Sequence, residues 1–167
     1  ASGCALRQDG KSATLTAPNG PAQQALQRTA LADAACTPEE VCYVEAHGTG
    51  TALGDPIEMR SLVATFAASA EAGLAFGSLK ANAGHSEPMA GLSGLFRVQH
   101  TLQYAHLGCN AQLRRLNTHI VLAVRGLAIA LPCQDALARY PPTHEWTQGG
   151  VDSFGFSGTI AHVILRG

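Results

Sequence analysis

Two glycine-laced histidine motifs hold the residues with the most to offer chemically: His47-Gly48-Thr49-Gly50-Thr51 and Lys80-Ala81-Asn82-Ala83-Gly84-His85. Imidazole titrates near neutral pH, and its neutral form donates from one ring nitrogen and accepts at the other. Two such rings in matched loops describe one site that needs two hydrogen-bonding or proton-handling groups. Glycines let a ligand approach the backbone, and the hydroxyls of Thr49 and Thr51 suit an extended polar ligand. Nine of the eleven basic residues are Arg, so Lys80 marks a position where a compact ammonium is wanted. An activated nucleophile, the natural partner of such a site, is not evident.

Each motif alone has a plainer explanation, a Gly/Thr-rich turn for the first and a helix-capping loop for the second. Their pairing favours a site. A metal centre on His47 and His85 is disfavoured because the motifs offer no carboxylate as third ligand. Gly48, Gly50 and Gly54 fit neither a P-loop nor the dinucleotide fingerprint. His100, His106, His119 and His144 read as surface or structural residues, and His162, inside an apolar run, as a core histidine.

The elements that position the motifs are legible as pattern. Residues 41–46 and 74–78 are short apolar runs, read as buried strands that deliver His47 and Lys80 with His85. Polar loops at strand ends are where α/β folds carry chemistry. Asp55-Pro56-Ile57-Glu58 predicts a helix start, with Asp55 as cap and Glu58 at the capping-box position, running to about Ala70. A longer helix is predicted from about Ala90 to Ala105, with Leu92, Leu95, Phe96, Gln99 and Leu102 near one face and Gly91 and Gly94 for close packing. Its start near His85 disfavours a charged imidazolium, leaving that ring suited to donate to a carbonyl oxygen. Further strands are expected at 2–8, within Val121–Leu131, over Gly150–Phe156 and over Ile160–Leu165. A helix begins at Asn19-Gly20-Pro21 and reaches about Ala35, a one-turn helix starts at Thr37-Pro38-Glu39-Glu40, and 141–147 reads as a connector.

The 167 residues fit one domain or half of a larger one. With 46% hydrophobic and 14% charged residues, the chain is globular and poor in surface charge, which suits burial against itself or a partner. A net charge of −1 gives no basic patch for nucleic acid. No apolar run approaches the ~18 residues of a membrane span. Five cysteines without a CxxC pair argue against a zinc ribbon and a disulfide framework, and are read as reduced, mostly buried thiols. That points to an intracellular, cytoplasmic protein; with Ala1 in first place, an organellar targeting segment stays open.

Val44-Glu45-Ala46-His47-Gly48-Thr49-Gly50-Thr51, with Gly54-Asp55-Pro56-Ile57-Glu58, resembles the first histidine motif of β-ketoacyl synthases of the modular polyketide type. Gly77-Ser78-Leu79-Lys80-Ala81-Asn82-Ala83-Gly84-His85 resembles their second. Leu15-Thr16-Ala17-Pro18-Asn19-Gly20-Pro21 and Ser153-Phe154-Gly155-Phe156-Ser157-Gly158-Thr159 fit as well, so markers run from end to end in the family's order.

The resemblance implies an α/β, thiolase-like fold, with residues 1–167 as its C-terminal half: a layered mixed sheet with flanking helices. It implies that the nucleophilic cysteine lies in an absent N-terminal half, the partner in cis. The implied chemistry is a decarboxylative Claisen condensation of an acyl thioester with a malonyl-type extender, in polyketide or fatty-acid assembly. The extender arrives on the phosphopantetheine arm of acyl carrier protein, and the domain itself binds no cofactor. His47 and His85 would hydrogen-bond the extender's thioester carbonyl and stabilise the enolate, and Lys80 would sit near His85 and pair with Glu58. Thr49 and Thr51 would touch the phosphopantetheine arm. The Phe156 N–H would contribute to the oxyanion hole and its ring would gate the acyl pocket. A homodimer is expected of the intact domain, and inactivity and poor solubility of the isolated chain. A non-elongating ketosynthase-like domain that binds acyl carrier protein without condensing is the alternative. Two departures stand out: Ile160 where the family commonly has Asn, expected to remove an amide beside the site, and Glu87-Pro88-Met89 after the second histidine.

Overall fold

The computed structural model describes residues 1–10, 17–67, 73–111, 113–133 and 148–167. Six strands form one mixed sheet: β1 (Gly3–Gln8), β2 (Val41–Glu45), β3 (Leu74–Gly77), β4 (Ile129–Ala130), β5 (Gln148–Phe154) and β6 (Thr159–Arg166). Their order is β1-β6-β5-β2-β3-β4. β5, β2, β3 and β4 are parallel neighbours, whereas β6 pairs antiparallel with β5 and β1. The parallel centre is covered on both faces, which is why β2 and β3 read as nearly unbroken apolar runs.

Successive residues serve opposite faces. Val44, Phe76 and Ile164 join Leu31 of α1 (Gly20–Asp33), Leu62 and Phe66 of α2 (Gly54–Phe66) and Ile120 of α5 (Thr118–Val124) in one core. Tyr43, Ala75, Val151 and Leu165 meet Val98 and Leu102 of α4 (Ala90–Tyr104) on the other. Asn19 caps α1 as expected, its Oδ1 accepting the Ala22 N–H at 3.2 Å. The Thr37 signal gives a single 3-10 turn, Pro38–Glu40, closed by the Thr37 N–H donating to the Glu40 carboxylate at 2.7 Å.

Four expectations change. On α4, Ala90, Gly94, Val98, Thr101 and Leu102 face the sheet, while Leu92 and Phe96 are 43% and 59% exposed. Gly94 fits this rotation: a Cβ there would lie 3.2 Å from Glu45 Cγ and Val151 Cγ1 of the sheet, and Leu92 and Phe96 are left on the outer side. The segment Val121–Leu131 opens as helix α5, capped by Asn117 and packed on α2, with only Ile129–Ala130 extended. Packing and the cap override the β-branched composition there. Of the five cysteines only Cys36 is buried, and burial pushes it up to about 12; Cys4 and Cys133 are exposed. Finally, α2 ends at Phe66, and residues 68–70, the 141–147 connector, His144, Leu15 and Thr16 lie outside the described residues.

Candidate active site

β2 ends beside the first motif, and the Ala46 N–H donates to the Gly77 carbonyl at 2.7 Å, so the ladder with β3 continues to the foot of both loops. The chain turns at Gly48 with φ +46°, where a Cβ would sit 2.7 Å from Ser78 Oγ. Ser78 Oγ uses the space to donate to the Gly48 carbonyl at 3.1 Å, joining the loops.

The first loop is hung on carboxylates of α2. Glu58, 4% exposed, accepts from the N–H groups of His47 at 2.6 Å and Gly48 at 2.8 Å. Asp55 Oδ1 accepts from Gly50 at 3.1 Å and Thr51 at 3.2 Å. Neither acidic residue plays its expected helix-start role. The helix begins at Gly54, whose N–H is taken by Thr51 Oγ1 at 3.1 Å. Burial, then the neighbouring Asp152, pushes the Glu58 carboxyl up to about 8 against the pull of the two N–H groups.

Hydrogen bonding decides which nitrogen of His47 carries the proton. Nδ1 accepts the Phe154 N–H at 3.3 Å, so the neutral ring keeps its proton on Nε2. Burial, then the charges of Lys80 and His85, lowers this imidazole to about 4, and near neutral pH it is an uncharged donor. Its ring rests on Phe154, centroids 5.4 Å apart, and meets His85 edge-on at 5.6 Å and 88°.

His85 follows the one-turn helix α3 (Lys80–Ala83) in an exposed stretch covering residues 81–89. Its Nδ1 accepts the Glu87 N–H at 3.3 Å, which leaves Nε2 as the donor of the neutral ring. Anchors lie below. Asn110 Oδ1 accepts the Ser78 N–H at 2.7 Å, the Glu45 carboxylate accepts from Leu79, and Asn82 Oδ1 accepts from Ala111 at 3.3 Å. Lys80 is partly buried, which pushes its ammonium down while Glu45, Glu58 and Asp152 pull it back. It feels Glu58 through space but makes no ion-pair contact with it, contrary to the expected pairing. The Glu58 oxygens are already taken by His47 and Gly48. Among the described residues the one contact at ion-pair distance joins His162 Nδ1 and Asp152 Oδ1, 2.7 Å apart and fully buried. His162 is thus the core histidine expected of it.

His47, Thr49, Thr51, His85, Phe154 and Phe156 line one cleft of about 1120 Å³. Phe156 tips the β5–β6 turn with its ring 89% exposed, and its N–H finds no acceptor among the described residues. Ile160 is fully buried, paired with Phe154 and Arg7 across the sheet. The apolar departure therefore sits in the core of β6.

The family model for the β-ketoacyl synthase C-terminal domain matches residues 1–113. The chain belongs to the β-ketoacyl synthase family. It is 41% identical over 166 residues to polyketide synthase GfsA of Streptomyces halstedii, covering 98% of this chain and 2% of that protein. It is 43% identical over 165 residues to a phenolphthiocerol/phthiocerol polyketide synthase of Mycobacterium tuberculosis, covering 98% and 7%. The ketosynthase from module 6 of the bacillaene synthase of Bacillus subtilis 168 superposes with a TM-score of 0.83 at 30% identity, over 98% of this chain and 30% of that one. The oxazolomycin ketosynthase domain OzmH KS7 of Streptomyces albus JA3453 gives 0.83 at 31%, over 99% and 29%. The fold is thiolase-like, and the chain spans less than a third of the ketosynthase chains it matches.

Within this ketosynthase portion the structure brings His47, His85, Thr49, Thr51, Glu58 and Phe156 to one cleft, with Lys80 just behind. Two further contributors escape the motif reading. Glu45 stands inside the first motif, where a carboxylate in a buried strand is a signal in itself. Asn110, 8% exposed, carries no sequence signal at all.

Proposed function

We propose that this chain is the extender-activating part of a condensing enzyme that carries out decarboxylative Claisen condensation. An acyl group waits as a thioester on a cysteine supplied by an N-terminal half. A malonyl-type extender, delivered on the phosphopantetheine arm of acyl carrier protein, loses carbon dioxide, and the electron pair of the broken C–C bond becomes an enolate. The enolate carbon attacks the acyl thioester carbonyl, forming the new C–C bond and expelling the cysteine thiolate.

The observation that carries this reading is the matched pair of tautomers. Both Nδ1 atoms accept backbone N–H groups, so His47 and His85 each offer an Nε2–H, on adjacent rings of one cleft. Two preorganised Nε2–H donors match an oxygen that gains charge as carbon dioxide leaves, and they need not reorganise as it does so. Lys80, held off the carboxylates, adds positive potential beside His85 without acting as a nucleophile. Thr49 and Thr51 line the route for the phosphopantetheine arm; Thr51 Oγ1 accepts from Gly54 and still has its hydroxyl proton to donate. The Phe156 N–H, which has no acceptor among the described residues, suits the oxyanion of the attacked acyl carbonyl, with its ring as gate. The intact domain is read as an intracellular homodimer.

Carbon dioxide release from malonyl carrier protein tests this. The full-length protein is expected to decarboxylate and condense, and residues 1–167 alone to do neither. Release by the isolated chain at the full-length rate would defeat the split-site reading. Decarboxylation without condensation by the full-length protein would assign the non-elongating alternative instead.

A further inference from the structure

The mechanism leaves unused one buried carboxylate directly below the second histidine loop. Glu45 ends β2 at 1% exposure, on the sheet face covered by α4. One carboxylate oxygen accepts the Leu79 N–H at the entrance to the Lys80 turn. The other accepts the hydroxyl of Tyr43, two residues back on the same face. Arg97 of α4 reaches the Tyr43 hydroxyl, so the charged groups facing Glu45 are Arg97 and Lys80. Burial pushes the Glu45 carboxyl upward, while Leu79, Tyr43, Arg97 and Lys80 pull it back.

Three glycines make room for this arrangement. A Cβ on Gly77 would lie 2.4 Å from the Tyr43 hydroxyl oxygen, one on Gly94 3.2 Å from Glu45 Cγ, and one on Gly108 2.3 Å from an Arg97 guanidinium nitrogen. Each polar member of the cluster is thus seated against a position with no side chain. A buried carboxylate is costly to keep unless its hydrogen bonds are made, and an apolar residue would satisfy packing alone. What the carboxylate adds is a fixed acceptor for the second loop.

The geometry points to Glu45 as the positioning residue for His85. β2 carries His47 two residues beyond Glu45 and, through the Leu79 N–H, grips the loop that carries His85. One strand end therefore sets the spacing of both imidazoles. The catalytic consequence rests on the condensing function proposed above, whereas the mechanical one does not.

The test uses the full-length protein with Glu45→Ala, Glu45→Gln and Tyr43→Phe, read by amide hydrogen exchange and by decarboxylation of malonyl carrier protein. Glu45→Ala is expected to speed exchange over residues 78–84 by about tenfold or more while residues 47–51 keep their rate. Decarboxylation kcat should drop about 30-fold with KM within about twofold, since misplacement by about 1 Å can cost 10²-fold. Glu45→Gln should recover to within about threefold, because its amide oxygen still accepts from Leu79 and its NH2 donates to the Tyr43 oxygen. Tyr43→Phe, which leaves the Leu79 bond in place, should lie between them and keeps the test available if Glu45→Ala fails to fold. Unchanged exchange and kcat in folded Glu45→Ala, faster exchange spread equally through β5, or no rescue by Glu45→Gln would each overturn the assignment. A wild-type protein that releases no carbon dioxide would sink the condensing function, and the exchange data would still decide the positioning role.

Discussion

The two histidine loops are held in opposite ways. The His47 loop is gripped from the side: Glu58 and Asp55 take four of its N–H groups, and Phe154 N–H fixes the ring. The His85 loop is gripped mainly at its root, through Ser78 and Leu79, with Asn82 Oδ1 accepting from Ala111 farther on, and is exposed from residue 81 to residue 89. One imidazole is thus positioned by this chain's own packing, whereas the other is anchored and then left open. The exposed second loop and the outward-facing Leu92 and Phe96 give this chain polar and apolar surface that its own packing leaves uncovered. The contrast separates groups that set chemistry from groups that set geometry.

The largest effects should come from the rings themselves. His47→Ala and His85→Ala are each expected to lower the decarboxylation kcat of the full-length protein by about 10²–10³-fold, the cost of removing one preorganised donor. The double variant should lose little beyond either single one if the rings share one oxygen. Multiplying losses would show that they serve different atoms.

Next comes the grip on the first loop. Glu58→Ala leaves two N–H groups without acceptors and opens a buried site, so a loss of about 3 kcal/mol is expected. Amide exchange over 47–51 should report it, with residues 78–84 nearly unmoved. Asn110→Ala is the mirror image, costing about 2 kcal/mol through the Ser78 N–H and loosening 78–84 instead. Equal loosening of both loops by either variant would abolish the distinction between them.

The sequence alone reveals the strands before each motif, because buried parallel strands read as apolar runs, and it reveals the paired histidines because glycine-flanked imidazoles have few structural uses. It is weaker where one side chain can satisfy two local patterns. Glu58 stands at a capping-box spacing, and only the path of the preceding loop sends its carboxylate to His47 and Gly48 instead. On α4 the apolar residues outnumber one face, so periodicity selects Leu92 and Phe96, while the close approach allowed by Gly94 selects the face that is buried. Asn110 reaches Ser78 across 32 residues of sequence, a pairing that no local spacing encodes.

The smallest effects concern protons, and they carry opposite signs for the two groups that define the first loop. His47 is lowered to about 4 from 6.5, so between those values the unfolded chain binds more protons than the folded one. Its contribution to stability is complete above 6.5 and is lost as pH falls toward 4, where a protonated Nδ1 would face the Phe154 N–H. Glu58 is raised to about 8 from 4.5, so the folded state holds the extra proton, and its contribution declines as pH climbs from 4.5 to 8. Denaturation midpoints of the wild type, His47→Gln and Glu58→Gln between pH 4 and 8 separate the two. His47→Gln should flatten the acid limb and Glu58→Gln the alkaline one. An alkaline slope unchanged in Glu58→Gln would mean that Glu58 holds the loop as a carboxylate, with both oxygens charged acceptors throughout this range.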